Sequence, residues 1–202
     1  MDRRSRRALA TGAGIALGVV GTLGASRVDA KKVALSMSCD HGPGEQKFQA
    51  DVSGPESVVV GGTFTVHLDG VPSDEVTGFG LNHIRDMTTD YVLPAGGSYV
   101  EGSARVVPDT GTPNVRGGAT LTVEGKRLRL VLPARIADGE FYTPPSVEVT
   151  LRADSAAGTT LALGFSRFRL TVNAVVVGDM RVTCEPKPRP FALPGTKVVA
   201  PE

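Results

Sequence analysis

A chain of 202 residues with 41% hydrophobic side chains holds enough apolar surface for one domain core, which excludes an intrinsically disordered protein. The formal charge of +1 conceals an uneven distribution. Setting aside residues 1–30, with five arginines and two aspartates, leaves seventeen basic against nineteen acidic residues, so the electrostatic footprint of a nucleic-acid binder is absent. Twenty-five glycines, fourteen prolines and no tryptophan suit many short strands joined by tight turns rather than a helical bundle.

In chain order, residues 1–30 read as a cleaved signal peptide. Arginines cluster at positions 3–7, a soft apolar run follows from Ala8 to Gly24, and Val28-Asp29-Ala30 offers small side chains for cleavage after Ala30. Five glycines in that run make it a poor permanent membrane anchor. Ser5-Arg6-Arg7-Ala8-Leu9 is similar to a twin-arginine signal, and the general export route is the alternative. Gly12-Ala13-Gly14 looks like the start of a dinucleotide-binding loop, yet no strand precedes it. A lipid anchor on Cys39 is a minor alternative, because Ser36-Met37-Ser38 lacks the expected leucine and Lys31-Lys32 intervene.

The mature segment, 31–185, is predicted to be one β domain. Val33, Leu35, Met37 and Cys39 alternate with small or polar residues, the period of a half-buried strand. Phe48, Ala50 and Val52 repeat the pattern. Val58 to Val60, then Gly61-Gly62, then Phe64, Val66 and Leu68 read as strand, turn and strand. Residues 72–83 place Val76, Phe79 and His83 near helical spacing, but Gly78 and Gly80 discourage a helix, so a loop is expected. Alternation resumes from Met87 to Leu93 and again from Tyr99 to Val107. Thr120–Val123 and Arg127–Leu132 flank Glu124-Gly125-Lys126 as a hairpin. Pro133 to Pro145 reads as a long connection, followed by a strand through Val147, Val149 and Leu151. The apolar parity from Phe168 to Cys184 reads as a long run with a bend or bulge at Gly178-Asp179. Residues 186–202 carry five prolines and are expected to form an extended, flexible tail.

Two cysteines on the core faces of terminal strands, in a chain with an export signal, favour a Cys39–Cys184 disulfide over two buried thiols. In the chain-entropy picture, closing so long a loop contributes about 5 kcal/mol. The predicted fold is an all-β antiparallel two-sheet sandwich, immunoglobulin-like, its first and last strands joined by that disulfide; a closed barrel is the alternative.

The phrases Pro55-Glu56-Ser57-Val58-Val59-Val60-Gly61-Gly62-Thr63-Phe64-Thr65-Val66, Val71-Pro72-Ser73, Leu93-Pro94-Ala95-Gly96 and Cys184-Glu185-Pro186 resemble a group of actinobacterial exported β-sandwich proteins. The resemblance implies compartment and fold over about residues 33–186, and names no site.

Catalytic signatures are scarce. Asp109-Thr110-Gly111 is a single copy of a motif that needs two, with Pro108 where an apolar strand residue normally stands. His41, His67 and His83 lack metal-ligand spacing, and Asp69, Asp74 and Glu75 are the least implausible oxygen cluster for calcium. No catalytic residue, metal or cofactor is therefore assigned. The expected function is a non-catalytic, secreted or cell-envelope binding module, monomeric, with an envelope or extracellular protein, glycan or lipid as partner. One alternative is a carrier of an apolar ligand between the sheets, lined by Leu161, Leu163, Val175, Val176 and Val177. Another is a hydrolase with a loop-built site around His83, Asp86, Asp109 or Asp138.

Overall fold

The computed structural model describes residues 30–41 and 45–201. The expected signal peptide, its export motif and Gly12-Ala13-Gly14 lie outside the described residues. Seven strands come first: β1 Lys31–Cys39, β2 Glu45–Ser53, β3 Ser57–Val59, β4 Thr63–Asp69, β5 Leu81–Val92, β6 Gly97–Tyr99 and β7 Arg105–Val106. A four-residue helix, α1 Pro113–Arg116, precedes β8 Thr120–Glu124, β9 Arg127–Ala137, β10 Val147–Ala153, β11 Thr160–Leu161, β12 Gly164–Ala174, β13 Gly178–Pro186, β14 Phe191–Ala192 and β15 Thr196–Val199.

Twelve strands make one antiparallel sheet, ordered β6-β10-β4-β2-β1-β13-β12-β5-β9-β8, with β7 on β10 and β14 on β12. The sheet curls until its two halves face each other. Alternation dictates which side chains meet: Leu35 and Met37, Phe64, Val66 and Leu68, and Val147, Val149 and Leu151 come from one half. Leu128, Leu130 and Leu132, Met87 and Tyr91, and Val182 come from the other, and all are buried in one core. Within this sheet, among the described residues, the halves join through three residue pairs of β1 and β13: Met37–Pro186, Ser38–Glu185 and Cys39–Cys184. The last pair is the disulfide, with Cα atoms 4.0 Å apart and 145 residues of separation. A lipid anchor on Cys39 is thereby ruled out, since its sulfur is already bonded.

The hairpin of β8 and β9 turns at Gly125, whose φ of +59° is open to glycine without the steric cost a Cβ brings. β9 runs on through Pro133, where the sequence reads as a connection. Pro133 falls inside an irregularity of the β5–β9 register, between Met87–Leu132 and Arg85–Arg135, so its missing N–H interrupts no regular ladder.

β5 begins at Leu81, six residues earlier than the alternation suggests. A bulge at Asp86, with φ +52°, and a second register shift near Asn82 each add a residue. Leu81, Ile84 and Met87 consequently share the inner face at three-residue intervals, which mimics a helical period in the sequence.

The run from Phe168 to Cys184 is two strands rather than one bent strand. Ala174 pairs with Gly178, so Val175, Val176 and Val177 form the tip of the β12–β13 hairpin. The C-terminal segment differs from the expected flexible tail. β15 pairs in parallel with β3 and antiparallel with β11, and Leu193, Thr196 and Val198 are buried. Pro188, Pro190 and Pro194 fall between strands, Pro186 closes β13 and Pro201 follows β15, and Gly195 permits a backbone approach so close that a Cβ there would lie 2.6 Å from the Leu161 carbonyl oxygen. This three-stranded sheet covers the end of the molecule where β10 finishes, bonded through Gly61 N–H to Ala153 O at 2.7 Å.

Candidate functional site

Packing is uneven along the length of the two layers. Near the small sheet, Leu151, Leu161, Leu163, Phe165 and Val198 are at most 1% exposed. Toward the other end, Phe168, Leu170, Val172 and Ala174 of β12 and Met180 of β13 face inward yet are only half-buried. β12 is a central strand, paired on both sides, so exposure of its inner face requires an unfilled interior.

That interior is an open cavity of about 630 Å³. Met37, Phe48, Leu68 and Val147 line it from one layer, with Leu81, Ile84, Leu130, Phe168, Leu170 and Val172 from the other. The disulfide sits in its wall. The opening has a local cause: β4 ends at Asp69, opposite Asp51, so Phe48 lies beyond the end of β4 and the chain leaves the sheet there as a loop. The loop 70–80 lies along this gap, held to the 138–145 loop by bonds from Ser73 N–H to Tyr142 O at 2.8 Å and from Val76 N–H to Glu140 O at 2.9 Å.

The rim is mixed. Phe79 and Val177 reach it and are largely in solvent, next to the equally exposed Val175 and Val176. Val175 N–H donates to Gly80 O at 2.8 Å, which holds the two apolar tips side by side. Lys47, Asp69 and Glu75 add charge at the same rim. Inside, Tyr142 is desolvated and its hydroxyl pushed up to about 12, while burial raises the Tyr91 hydroxyl further. Both phenols stay neutral at physiological pH, so the wall carries no titrating charge of its own from them.

No protein-family model matches this chain, and no curated protein matches it. Among solved structures, a protein of Corynebacterium diphtheriae described as membrane anchored is similar at 16% identity and a TM-score of 0.39, over 87% of this chain and 38% of the other. The collagen-binding domain of the Erysipelothrix rhusiopathiae surface protein RspB is similar at 14% identity and a TM-score of 0.34, over 86% of this chain and 60% of the other. The chain thus spans less than two thirds of either bacterial protein chain. Both scores lie below one half, and neither likeness bears on a site or ligand here.

The residues singled out in the sequence fall mostly elsewhere. Of the five expected to line an apolar slot, only Val177 does so: Val175 and Val176 are hairpin tips, while Leu161 and Leu163 are sealed in the dense end of the core. The sequence shows the inward parity of β12 and β2 but not that those side chains line a cavity, since alternation is the same whether a core closes or stays open. His83, Asp86, Asp109 and Asp138 do not form a constellation. Among the described residues no hydrogen bond or ion pair joins any two of them; Asp86 pairs with Arg85, and Asp109 pairs with Arg116 at 3.1 Å. His67 is turned outward against Glu148, 3.3 Å away. Among the described residues no group of three or more His, Cys, Asp or Glu could hold a metal ion, so Asp69, Asp74 and Glu75 do not converge on one.

Proposed function

We propose that this protein is a non-catalytic binding module that takes the apolar portion of an amphiphilic ligand, such as an acyl chain, into the cavity between its two layers. The observation that carries this reading is the half-buried inner face of β12: four apolar side chains on a doubly paired strand border open space. The volume falls in the range of small-molecule sites, about 300–1,000 Å³, and the apolar walls with a few polar groups at the rim match their usual make-up. The charged rim suits a ligand with one wet end. The disulfide fits a protein working outside a reducing cytosol, in the secreted or envelope setting expected from the N-terminal segment.

The test is ligand retention and displacement. Native mass spectrometry of protein purified under mild conditions is expected to show a bound amphiphile, or the delipidated protein is expected to bind a fluorescent fatty acid saturably. Val172→Trp, which fills the slot from the inner face of β12, is expected to weaken that binding at least tenfold while circular dichroism stays β-type. A clean ligand-free mass together with no saturable probe binding would overturn the reading.

A further inference from the structure

The outer face of the same strands carries a second, chemically opposite feature. On β9, β12 and β13 the residues that alternate with the core include four arginines, Arg129, Arg167, Arg169 and Arg181. They line a depression of about 560 Å³, with Thr88, Thr171 and Thr183 among them. The register explains the grouping. Arg129 lies opposite Asp90, which lies opposite Arg167; Arg169 lies opposite Thr88 and Thr183; Arg181 lies opposite Thr171.

The carboxylates present do not use up this positive charge. Asp90 accepts from both Arg129 Nε at 2.8 Å and Arg169 Nη2 at 3.1 Å, so one anion serves two cations. Glu185 likewise serves Arg167 at 3.1 Å and Arg189 at 2.7 Å. Asp86, which also lines the depression, and Asp179 both pair with Arg85, so there one cation serves two anions and the surplus charge rests on Arg129, Arg167, Arg169 and Arg181. Arg181 makes no ion pair among the described residues. The Nε of Arg169 is buried without an acceptor, a donor whose partner is missing from the protein itself. A guanidinium carries five N–H donors in a planar fork, so most of the donors here remain open to an oxyanion.

We infer that this depression binds an anionic polymer with repeated phosphate or sulfate groups, several anionic groups at a time. The charge complementarity points to oxyanions, and the spacing points to a chain of them: neighbouring strands are about 4.8 Å apart and alternate residues along a strand about 6.7 Å apart, so the guanidinium groups form an array rather than a single cup. A bilayer surface fits less well. The exposed apolar tips that could insert, Phe79 and Val175–Val177, lie at the cavity rim and do not line this depression. A nucleic acid fits less well because the nearby aromatic rings, Phe165, Phe168 and Tyr91, belong to the core and offer no stacking platform.

Isothermal titration of the whole protein with inorganic polyphosphate and with dextran sulfate, in about 50 and 150 mM salt, tests this without reference to the apolar cavity. Binding is expected to weaken with salt. Arg181→Ala, which breaks no ion pair, is expected to reduce affinity about tenfold and to lower the log–log salt slope by about one; Arg167→Ala is expected to act similarly. Orthophosphate alone is expected to bind far more weakly than the polymers. Undiminished binding in both variants, or no binding of either polymer at low salt, overturns the inference. Equal or tighter binding to phosphatidylglycerol vesicles or to single-stranded DNA overturns it in favour of a membrane or a nucleic acid.

Discussion

Asp90 lies on the polar side of β5, only 5% exposed, between Arg129 and Arg169. It sets the separation of two guanidinium groups that would otherwise repel. Replacing it by Asn keeps the shape but leaves both cations without a charged acceptor, and charge-assisted bonds of this kind contribute about 1.5–3 kcal/mol. Asp90→Asn is therefore expected to lower the urea unfolding free energy by about 2 kcal/mol; a change within about 0.5 kcal/mol would assign the pair to the solvated class that contributes little. Residues of this sort are hard to read in a sequence. The cysteines could be paired beforehand because each falls on an apolar parity near one end of the domain. A lone Asp on a strand looks like any solvent-facing charge until the register places an arginine on each side.

Among the elements, β15 shows how a short strand can be hidden by its surroundings. Its burial alternates cleanly: Thr196 and Val198 point in, Lys197 points out. Val198 is fully buried and its strand bridges β3 and β11. Val198→Ala is expected to cost about 2–3 kcal/mol through lost burial and the space left behind. Lys197→Ala should stay within about 0.5 kcal/mol. Equal effects from the two, measured by thermal or denaturant unfolding, would mean that the segment is not docked in solution. The four-residue alternation was masked in the sequence by the prolines around it. β5 was obscured for a different reason. Two inserted residues turn a period of two into a period near three, so Leu81, Ile84 and Met87 imitate a helix while lying on one sheet face. Where strands are regular, as in the β8–β9 hairpin, alternation and one glycine suffice to locate both strands and the turn.

For the whole molecule, the decisive property is that one end of the core is filled and the other is not. Side-chain periodicity reports which way a residue faces and says nothing about how far away the opposite wall stands, so the cavity was not legible in advance. Its chemistry does leave a thermodynamic mark. Tyr142 has its hydroxyl raised from the ordinary value near 10 to about 12 by desolvation. Below pH 10 the phenol is neutral in both folded and unfolded chains, and its contribution is fully present. As pH rises from about 10 to 12 the unfolded chain loses its proton first, so stability falls by roughly 2–3 kcal/mol, about 1.36 kcal/mol for each pH unit that separates the folded and unfolded values. Tyr142→Phe is expected to flatten part of that alkaline decline in unfolding experiments between about pH 9 and 12. An unchanged slope would mean that water reaches the phenol.

The two halves of the main sheet resemble the covers of a book bound along a spine three rungs long, and the Cys39–Cys184 bond is one of those rungs. Asp40 extends the binding slightly, its N–H donating to Thr183 O at 3.0 Å and its carboxylate accepting from Thr183 N–H at 2.8 Å. How widely the covers stand apart is thus governed at the spine by a covalent stitch as well as by packing. Once that stitch is cut, the spine itself keeps only a few main-chain bonds, and the hollow beside it loses its covalent gauge.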